Sequence, residues 1–445
     1  MPDNSATRAG NIKKFDIQSH KKGNNKVSLD AGIVELKYFE SVLSNTISAS
    51  VTVADAGLND GKGAIDTLPI RGGEEVSLVM EDAQAVPNQL SFTQEKSFYI
   101  NRVRGIDPGT QKDIYTIDLS PKEFFANEQT RVVRKFSGQP SNHVASIIND
   151  LDPNTNIVVD KTIRDYNFIG NDKKPFYVCT WLASKSIPEL SVDGKNSLGG
   201  SAGYFFYQTY DALNFRALDK MLDPTAPGNS PRLKCIFTKN ADMPTGYNTK
   251  ILNVNIERDI DLQKNLTVGA YSNRSLFFDF VSMKYDVRDY SVEKQKEQIN
   301  NTGAQDITEG LPEEFTKSPT RIFNHVLDQG LLPPSGSIED QLKYWKDNKD
   351  VPTYDARDTM VQSVMRYNQL FSIKTNIIIP GNFSLRAGDL IQCDFPDLTV
   401  DQNNERNKQT GGIYMIASVC HRMTQSDTFT SLSLVRDTFG RKVLK

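Results

Sequence analysis

The chain has 445 residues, of which 38% are apolar, a mean hydropathy of −0.47 and a formal net charge of −3. That length provides for roughly two to four domains, each with its own core, and excludes a small stapled module. The 23 Phe and 16 Tyr exclude disorder throughout, and with a pI near 5.9 there is no whole-chain basic field to hold nucleic acid or an anionic membrane.

The start, Met1-Pro2-Asp3-Asn4-Ser5, is polar where a signal peptide needs an apolar run, and no later segment reaches about 20 apolar residues. The expectation is a protein made and folded in a cytoplasm, with no membrane anchoring. Lys13, Lys14, Lys21, Lys22 and Lys26 are expected to form a solvated, flexible arm. From about Val27 to Leu119 the pattern is strand-like. Ile47, Ala49, Val51 and Val53 alternate against Ser48, Ser50 and Thr52, and glycine breaks at Gly57, Gly61 to Gly63 and Gly72-Gly73 separate the strands.

The period changes at Pro140. Ser141 is placed to cap a helix whose apolar side is Val144, Ile147, Ile148 and Leu151, and Asp152-Pro153-Asn154 stops it. A second helical stretch, Phe176 to about Ala183, precedes a polar loop from Val192 to Gly203. The aromatic run Tyr204-Phe205-Phe206-Tyr207 follows, with a hairpin through Asp211 to Leu218. Strand character returns from Ile251 to Ala270, with Val254 and Ile256 alternating and then Leu266, Val268 and Ala270, and it resumes near Ile373. Between them lies a polar stretch from Ser291 to Glu309. Helices are then marked by Ile322, Phe323, Val326 and Leu327, by Ile338, Leu342 and Trp345, and by Val361, Val364 and Met365.

Two distant stretches follow one template. Arg71-Gly72-Gly73-Glu74 leads into Val76, Leu78 and Val79, then Phe98-Tyr99-Ile100, Val103 and Thr116-Ile117-Asp118-Leu119. Arg386-Ala387-Gly388-Asp389 leads into Leu390 and Ile391, then Tyr414-Met415-Ile416, Val419 and Ser431-Leu432-Ser433-Leu434. Gly73 to Val103 is 30 positions and Gly388 to Val419 is 31. Duplicated β-domains in one chain let a three-fold assembly present six similar faces.

Enzyme signatures are thin. Gly199-Gly200-Ser201-Ala202-Gly203 matches G-x-S-x-G, but a nucleophile elbow needs a strand before the serine and a helix after it, and here the order is reversed. His20, His143, His325 and His421 are isolated, so no two imidazoles share a helical face. Cys420 and His421 are strand neighbours on opposite faces, read as a buried thiol beside an exposed imidazole. Asp55 to Asp66 resembles a calcium loop with its glycine one place late, and reads better as a solvated hairpin loop. Cys179, Cys235, Cys393 and Cys420 lie far apart, which fits buried thiols in a reduced compartment. No catalytic, metal or cofactor residues are assigned, and the chain is expected not to be an enzyme.

Three stretches resemble the baseplate central hub proteins of contractile-tailed bacteriophages and, more loosely, the N-terminal hub part of type VI secretion spike proteins. One is Trp181-Leu182 with Ala202 to Thr209 and Phe215 to Asp219. The next is Asn255 to Ile260 through Asn265-Leu266 to Gly269-Ala270-Tyr271. The most specific is Tyr367-Asn368, Leu370-Phe371, Ile379 to Asn382, Leu385 to Asp389, Gly412 to Tyr414, His421 and Leu434 to Gly440.

The resemblance implies a mainly β, α+β chain. Residues 1–129 would form a first tube-like β-barrel domain, 130–230 an α/β domain, 231–279 with 370–445 a second, discontinuous tube-like β-barrel, and 280–369 a largely helical insertion. It implies a homotrimer whose pseudo-six-fold ring joins a hexameric tail tube to a trimeric central spike and gives DNA a passage. Implied partners are that spike protein, the tail tube or tube-initiator protein, other baseplate wedge proteins and the tape measure protein, with DNA only in transit. The implied location is the tail baseplate of the virion. The structural positions expected in the ring are Arg71, Gly73, Glu74, Arg386, Gly388 and Asp389. Rival readings are a tail-associated cell-wall hydrolase and a β-rich host-recognition protein.

Overall fold

A computed structural model describes residues 9–19, 26–57, 63–68, 70–109, 111–163, 165–189, 201–237, 249–258, 262–280, 283–293, 301–305, 308–327, 356–396 and 409–441. The first region contributes β1 (Asn11–Gln18), β2 (Lys26–Ser28), β3 (Ile33–Ser41), β4 (Ser48–Asp55), β5 (Glu75–Glu81), β6 (Gln89–Phe92), β7 (Phe98–Pro108) and β8 (Asp113–Pro121). The alternation of Ile47 to Val53 is that of a strand with one buried face: Ala49, Val51 and Val53 are buried and Ser50 and Thr52 face the other way. Lys13 and Lys14 lie on β1 and Lys26 on β2, each with a carboxylate partner in Glu81 or Asp16. They are edge-strand charges, not part of a free arm; Lys21 and Lys22 lie outside the described residues.

Two helices, α1 (Pro140–Leu151) and α2 (Pro175–Ala183), pack with a three-stranded sheet of β9 (Ile157–Val159), β10 (Tyr204–Gln208) and β11 (Leu213–Ala217). Val144, Ile147, Phe176, Cys179, Leu182, Phe206 and Phe215 make its core. The helix begins one residue earlier than its expected cap. Pro140 takes the first turn, where its missing N–H costs nothing, and Ser141 is buried inside that turn, bonded to Thr162.

The rest is β12 (Lys234–Ile236), β13 (Asn253–Arg258), β14 (Ser272–Asp279), β15 (Lys284–Ser291), β16 (Arg321–Leu327), α3 (Ala356–Leu370), β17 (Ile373–Pro380), β18 (Leu390–Asp394), β19 (Gly412–Thr424) and β20 (Thr428–Arg436). Two expectations fail here. Leu262–Val268 is helical, because the Leu262 to Leu266 spacing makes a helical face while the apparent alternation at Leu266, Val268 and Ala270 runs across the helix end. Ile322, Phe323, Val326 and Leu327 lie on a strand, β16, parallel to β14. Both of its faces carry apolar residues, which erases the two-residue period and imitates a helix. Ile338, Leu342 and Trp345 lie outside the described residues. Val361, Val364 and Met365 are helical on α3, but Val364 is exposed and the buried side is Met365, Arg366, Gln369 and Leu370.

Among the described residues the main sheet has fourteen strands, in the path order β13-β17-β20-β19-β3-β4-β8-β7-β5-β1-β2, with β18 on β19, β12 on β18 and β6 on β5. Among these strands it stays open, so the described chain is mainly β without two closed barrels, and the two ends of the sequence share one continuous sheet. Their cores remain distinct, one around Leu36, Val51, Ile117 and Phe98 and the other around Ile377, Ile391, Tyr414 and Leu432. Phe205, Tyr207, Met221, Leu370, Leu390 and Met415 form a further cluster where the units meet.

Candidate functional site: a duplicated turn around a buried carboxylate

The two stretches that share a sequence template also share hydrogen bonds. Gly73 N–H donates to the Ile100 carbonyl at 2.7 Å, and Ile100 N–H donates to the Glu74 carbonyl at 2.9 Å. Gly388 N–H donates to the Ile416 carbonyl at 2.8 Å, and Ile416 N–H to the Asp389 carbonyl at 2.9 Å. Gly73 and Gly388 have φ of 88° and 89°, in the region that side chains rarely adopt. In each turn the acid closes a ring on the arginine's backbone: Arg71 N–H donates to Glu74 Oε1 at 2.7 Å and Arg386 N–H to Asp389 Oδ2 at 3.1 Å.

The correspondence extends through four strands. Ile100 lies opposite Leu119 and Val103 opposite Ile117; Ile416 lies opposite Leu434 and Val419 opposite Leu432. Each ladder has a bulge just past its isoleucine, between Ile100 and Arg102 and between Ile416 and Ser418. A bulge at a fixed place is a designed feature of a strand pair, so β7 and β19 are one strand written twice. The next strands match as well: Val51 pairs with Ile117 and Leu36 with Val51, as Ile377 pairs with Leu432 and Val254 with Ile377. One unit is therefore β3-β4-β8-β7, the other β13-β17-β20-β19, and the antiparallel pair β19·β3 joins them.

The two arginines have different surroundings. Arg71 is exposed. The Arg386 guanidinium donates to Asp211 Oδ2 at 2.8 Å and to the Phe383 carbonyl at 2.6 Å, and its Nε stands 3.9 Å from Glu40. Glu40, 1% exposed, accepts from the Tyr38 hydroxyl at 2.8 Å, Tyr210 N–H at 2.8 Å and Ala387 N–H at 3.0 Å. One carboxylate thus holds β3, the β10–β11 hairpin and the second turn together. Burial raises the Glu40 carboxyl above its usual range, against Arg386 and three hydrogen bonds that lower it. Asp389 is likewise raised by burial, with Arg232 pulling it back.

Gly388 is doubly constrained, since a Cβ there would collide with the Tyr207 hydroxyl and lie 2.9 Å from the Met221 methyl. His421 reverses its expected exposure. It points inward opposite Tyr38 while Cys420 faces outward, because the register places His421 on the core side. Its Nδ1 meets Thr430 Oγ1 at 3.0 Å, and burial, with Arg386 adding, pushes its pKa down to about 3.

A second buried network stands at α3. Arg366 donates to Asp219 at 2.8 Å and to Ser201 Oγ at 3.1 Å and lies 3.6 Å from Asp437, which accepts from Thr302 N–H and hydroxyl at 3.0 and 2.7 Å. Ser201 donates to Asp219 at 2.6 Å and has no exposed surface, so its hydroxyl serves packing and meets no solvent. Asp55 accepts from Gly57 and Ala64 N–H and the Tyr115 hydroxyl, and so anchors its loop. Among the described residues no group of three or more His, Cys, Asp or Glu could hold a metal. No helix among them is long and apolar enough to cross a membrane.

Sequence reasoning missed Glu40, Arg366 and the juxtaposition of Cys235 with Cys393 across β12·β18. Glu40 had a signal: it continues the inward face of Leu36 and Tyr38, where a carboxylate needs partners. The outward face of the joined units carries Asn253, Asn255, Asn376, Ser418, Ser431 and Ser433 around a hollow of about 550 Å³.

A duplicated four-strand unit is thus fused edge to edge, with an α/β layer at the joint. The fold is similar to that of the 43 kDa tail protein of prophage MuSo2 from Shewanella oneidensis, with a TM-score of 0.50 at 10% identity over 96% of this chain and 99% of that one. The tail protein from Neisseria meningitidis MC58 aligns over 95% and 96% of the two chains with a TM-score of 0.49 at 10% identity. An E. coli type VI secretion component, described as structurally similar to T4 bacteriophage tail proteins gp27 and gp5, aligns over 93% and 76% with a TM-score of 0.41 at 8% identity. No protein-family model and no curated protein matches the sequence.

Proposed function

We propose that this chain is a structural hub of a contractile-tail baseplate, a trimer whose ring joins a six-fold tail tube to a three-fold spike. The observation that carries the reading is the duplicated unit joined head to tail through β19·β3, with one outer edge on β7 and the other on β13. A joint between two different edges of the same unit is heterologous, and it makes a ring when the rotation it repeats closes on itself. Three chains then supply six units, the match that a six-fold tube and a three-fold spike require. Exposed edge strands otherwise recruit stray chains, so closure also protects the sheet.

A passage for DNA suits the outward face. Its amides and hydroxyls carry no charge, and three of its cations have a carboxylate partner: Arg104 with Asp118 at 2.8 Å and Arg422 and Lys37 with Glu35, each at 2.6 Å. Such a face neutralises few phosphates and lets a polyanion slide. Arg71, Gly73, Glu74, Arg386, Gly388 and Asp389 act in this reading as the framework that fixes each unit's strands. The spike protein, the tail tube or its initiator and the wedge proteins are the partners. A cell-wall hydrolase is disfavoured by the sealed Ser201 hydroxyl, and purified chain is expected to leave peptidoglycan turbidity unchanged.

The test is solution mass by sedimentation, with and without the spike protein of the same tail. A trimer in either condition is expected. A chain that stays single in both overturns the reading.

A further inference from the structure

We propose that the β7 edge of one copy pairs antiparallel with the β13 edge of a second copy, in the register that sets Arg104 opposite Glu257. This joint rests on the ring proposed above and gives it an edge, a register and a charge pair.

The register follows from the internal joint. There Val419 lies opposite Glu40, Cys420 opposite Phe39 and His421 opposite Tyr38. The ladder correspondences carry Val419 and Cys420 onto Val103 and Arg104 of β7, beyond which β7 has a second bulge up to Asp107. They carry Leu36, Tyr38 and Phe39 onto Val254, Ile256 and Glu257 of β13. If the second joint copies the first, Arg104 faces Glu257.

Both edges are available. β5 pairs with β7 only at Tyr99 and Phe98, which leaves the far side of Asn101 to Pro108 without a strand partner among the described residues. Among the described residues β13 pairs with β17 alone. Both edges also have apolar side chains that are incompletely covered. Val103, Val254 and Ile256 pack on the cores but are only partly buried, whereas their counterparts at the internal joint are sealed: Val419 is 1% exposed and Leu36 and Tyr38 are 0%. The copy that has a neighbour is closed and the copy that lacks one is open, which is what a missing strand predicts. The internal joint also carries an ion pair on its outer face, Arg422 with Glu35. Arg104 and Glu257 are both exposed, and the guanidinium can keep Asp118 and still offer an N–H to a second carboxylate.

The experiment is a charge-reversal cycle on the full chain, read by sedimentation across a concentration series. Arg104→Glu and Glu257→Arg alone are each expected to weaken self-association about tenfold or more by placing like charges together. The double variant R104E/E257R restores the pair in exchanged form and is expected to return to within about threefold of wild type. Thermal melts check that the exposed substitutions leave folding intact. If the wild type is a trimer and either reversal leaves its association unchanged, or the double variant is as weak as the singles, this joint is overturned while the ring stands. If the wild type is single at every concentration and with the spike protein, the ring itself fails.

Discussion

His421 should make stability depend on pH by an amount the structure sets. The buried imidazole resists protonation until about pH 3, whereas in the unfolded chain it takes a proton near pH 6.5. Between those values the unfolded state binds more protons, so the contribution is complete above pH 6.5 and is lost as pH falls, by about 1.4 kcal/mol per pH unit. At pH 5 the loss amounts to about 2 kcal/mol. Glu40, raised by its own burial, pulls in the opposite direction, so the comparison must be with a variant that keeps the rest of the site. His421→Asn retains a polar partner for Thr430 and removes the titration. Urea denaturation of both proteins at pH 7.5 and pH 5.0 should show wild type losing about 2 kcal/mol more than the variant. Equal losses would refute the claim that this imidazole is held neutral.

Three further substitutions test the packing. Gly388→Ala should cost about 2–4 kcal/mol, because strain at positive φ adds to a collision with Tyr207, and Gly73→Ala should cost about 1 kcal/mol or more, starting from the strain at its own positive φ; thermal melts measure both. Glu40→Ala orphans the Tyr38 hydroxyl and two backbone N–H groups and should lower stability by about 3–5 kcal/mol in chemical denaturation. Arg366→Met leaves Asp219 and Asp437 as buried carboxylates without their cation and should cost about 3–5 kcal/mol. Limited proteolysis should then cut the 301–305 segment, which is tied to Asp437, sooner than in wild type.

The duplicated turn was legible because a glycine at fixed spacing ahead of alternating residues records a backbone need and a strand period together. Gly388 and Gly73 share both their φ and their hydrogen bonds. The joining of the units was not legible, because β19·β3 pairs residues far apart in sequence and neither strand's pattern names its neighbour. Ile322 to Leu327 misled because a strand with apolar groups on both faces loses its alternation. His421 misled because an imidazole next to a cysteine was ranked by polarity, whereas the register at Tyr38 decides which one turns inward. Arg366 had no sequence signal beyond its place among Met365, Gln369 and Leu370, and its partners Asp219 and Asp437 come from distant parts of the sequence.

Because both units belong to one polypeptide, β19·β3 forms within the chain, however dilute the protein. In the proposed three-chain collar, half of the seams are then made during folding, and only the other half respond to how many molecules are present. Dilution can open the collar into whole chains but cannot separate a chain into its halves. Each seam is also free to change its residues without altering the other.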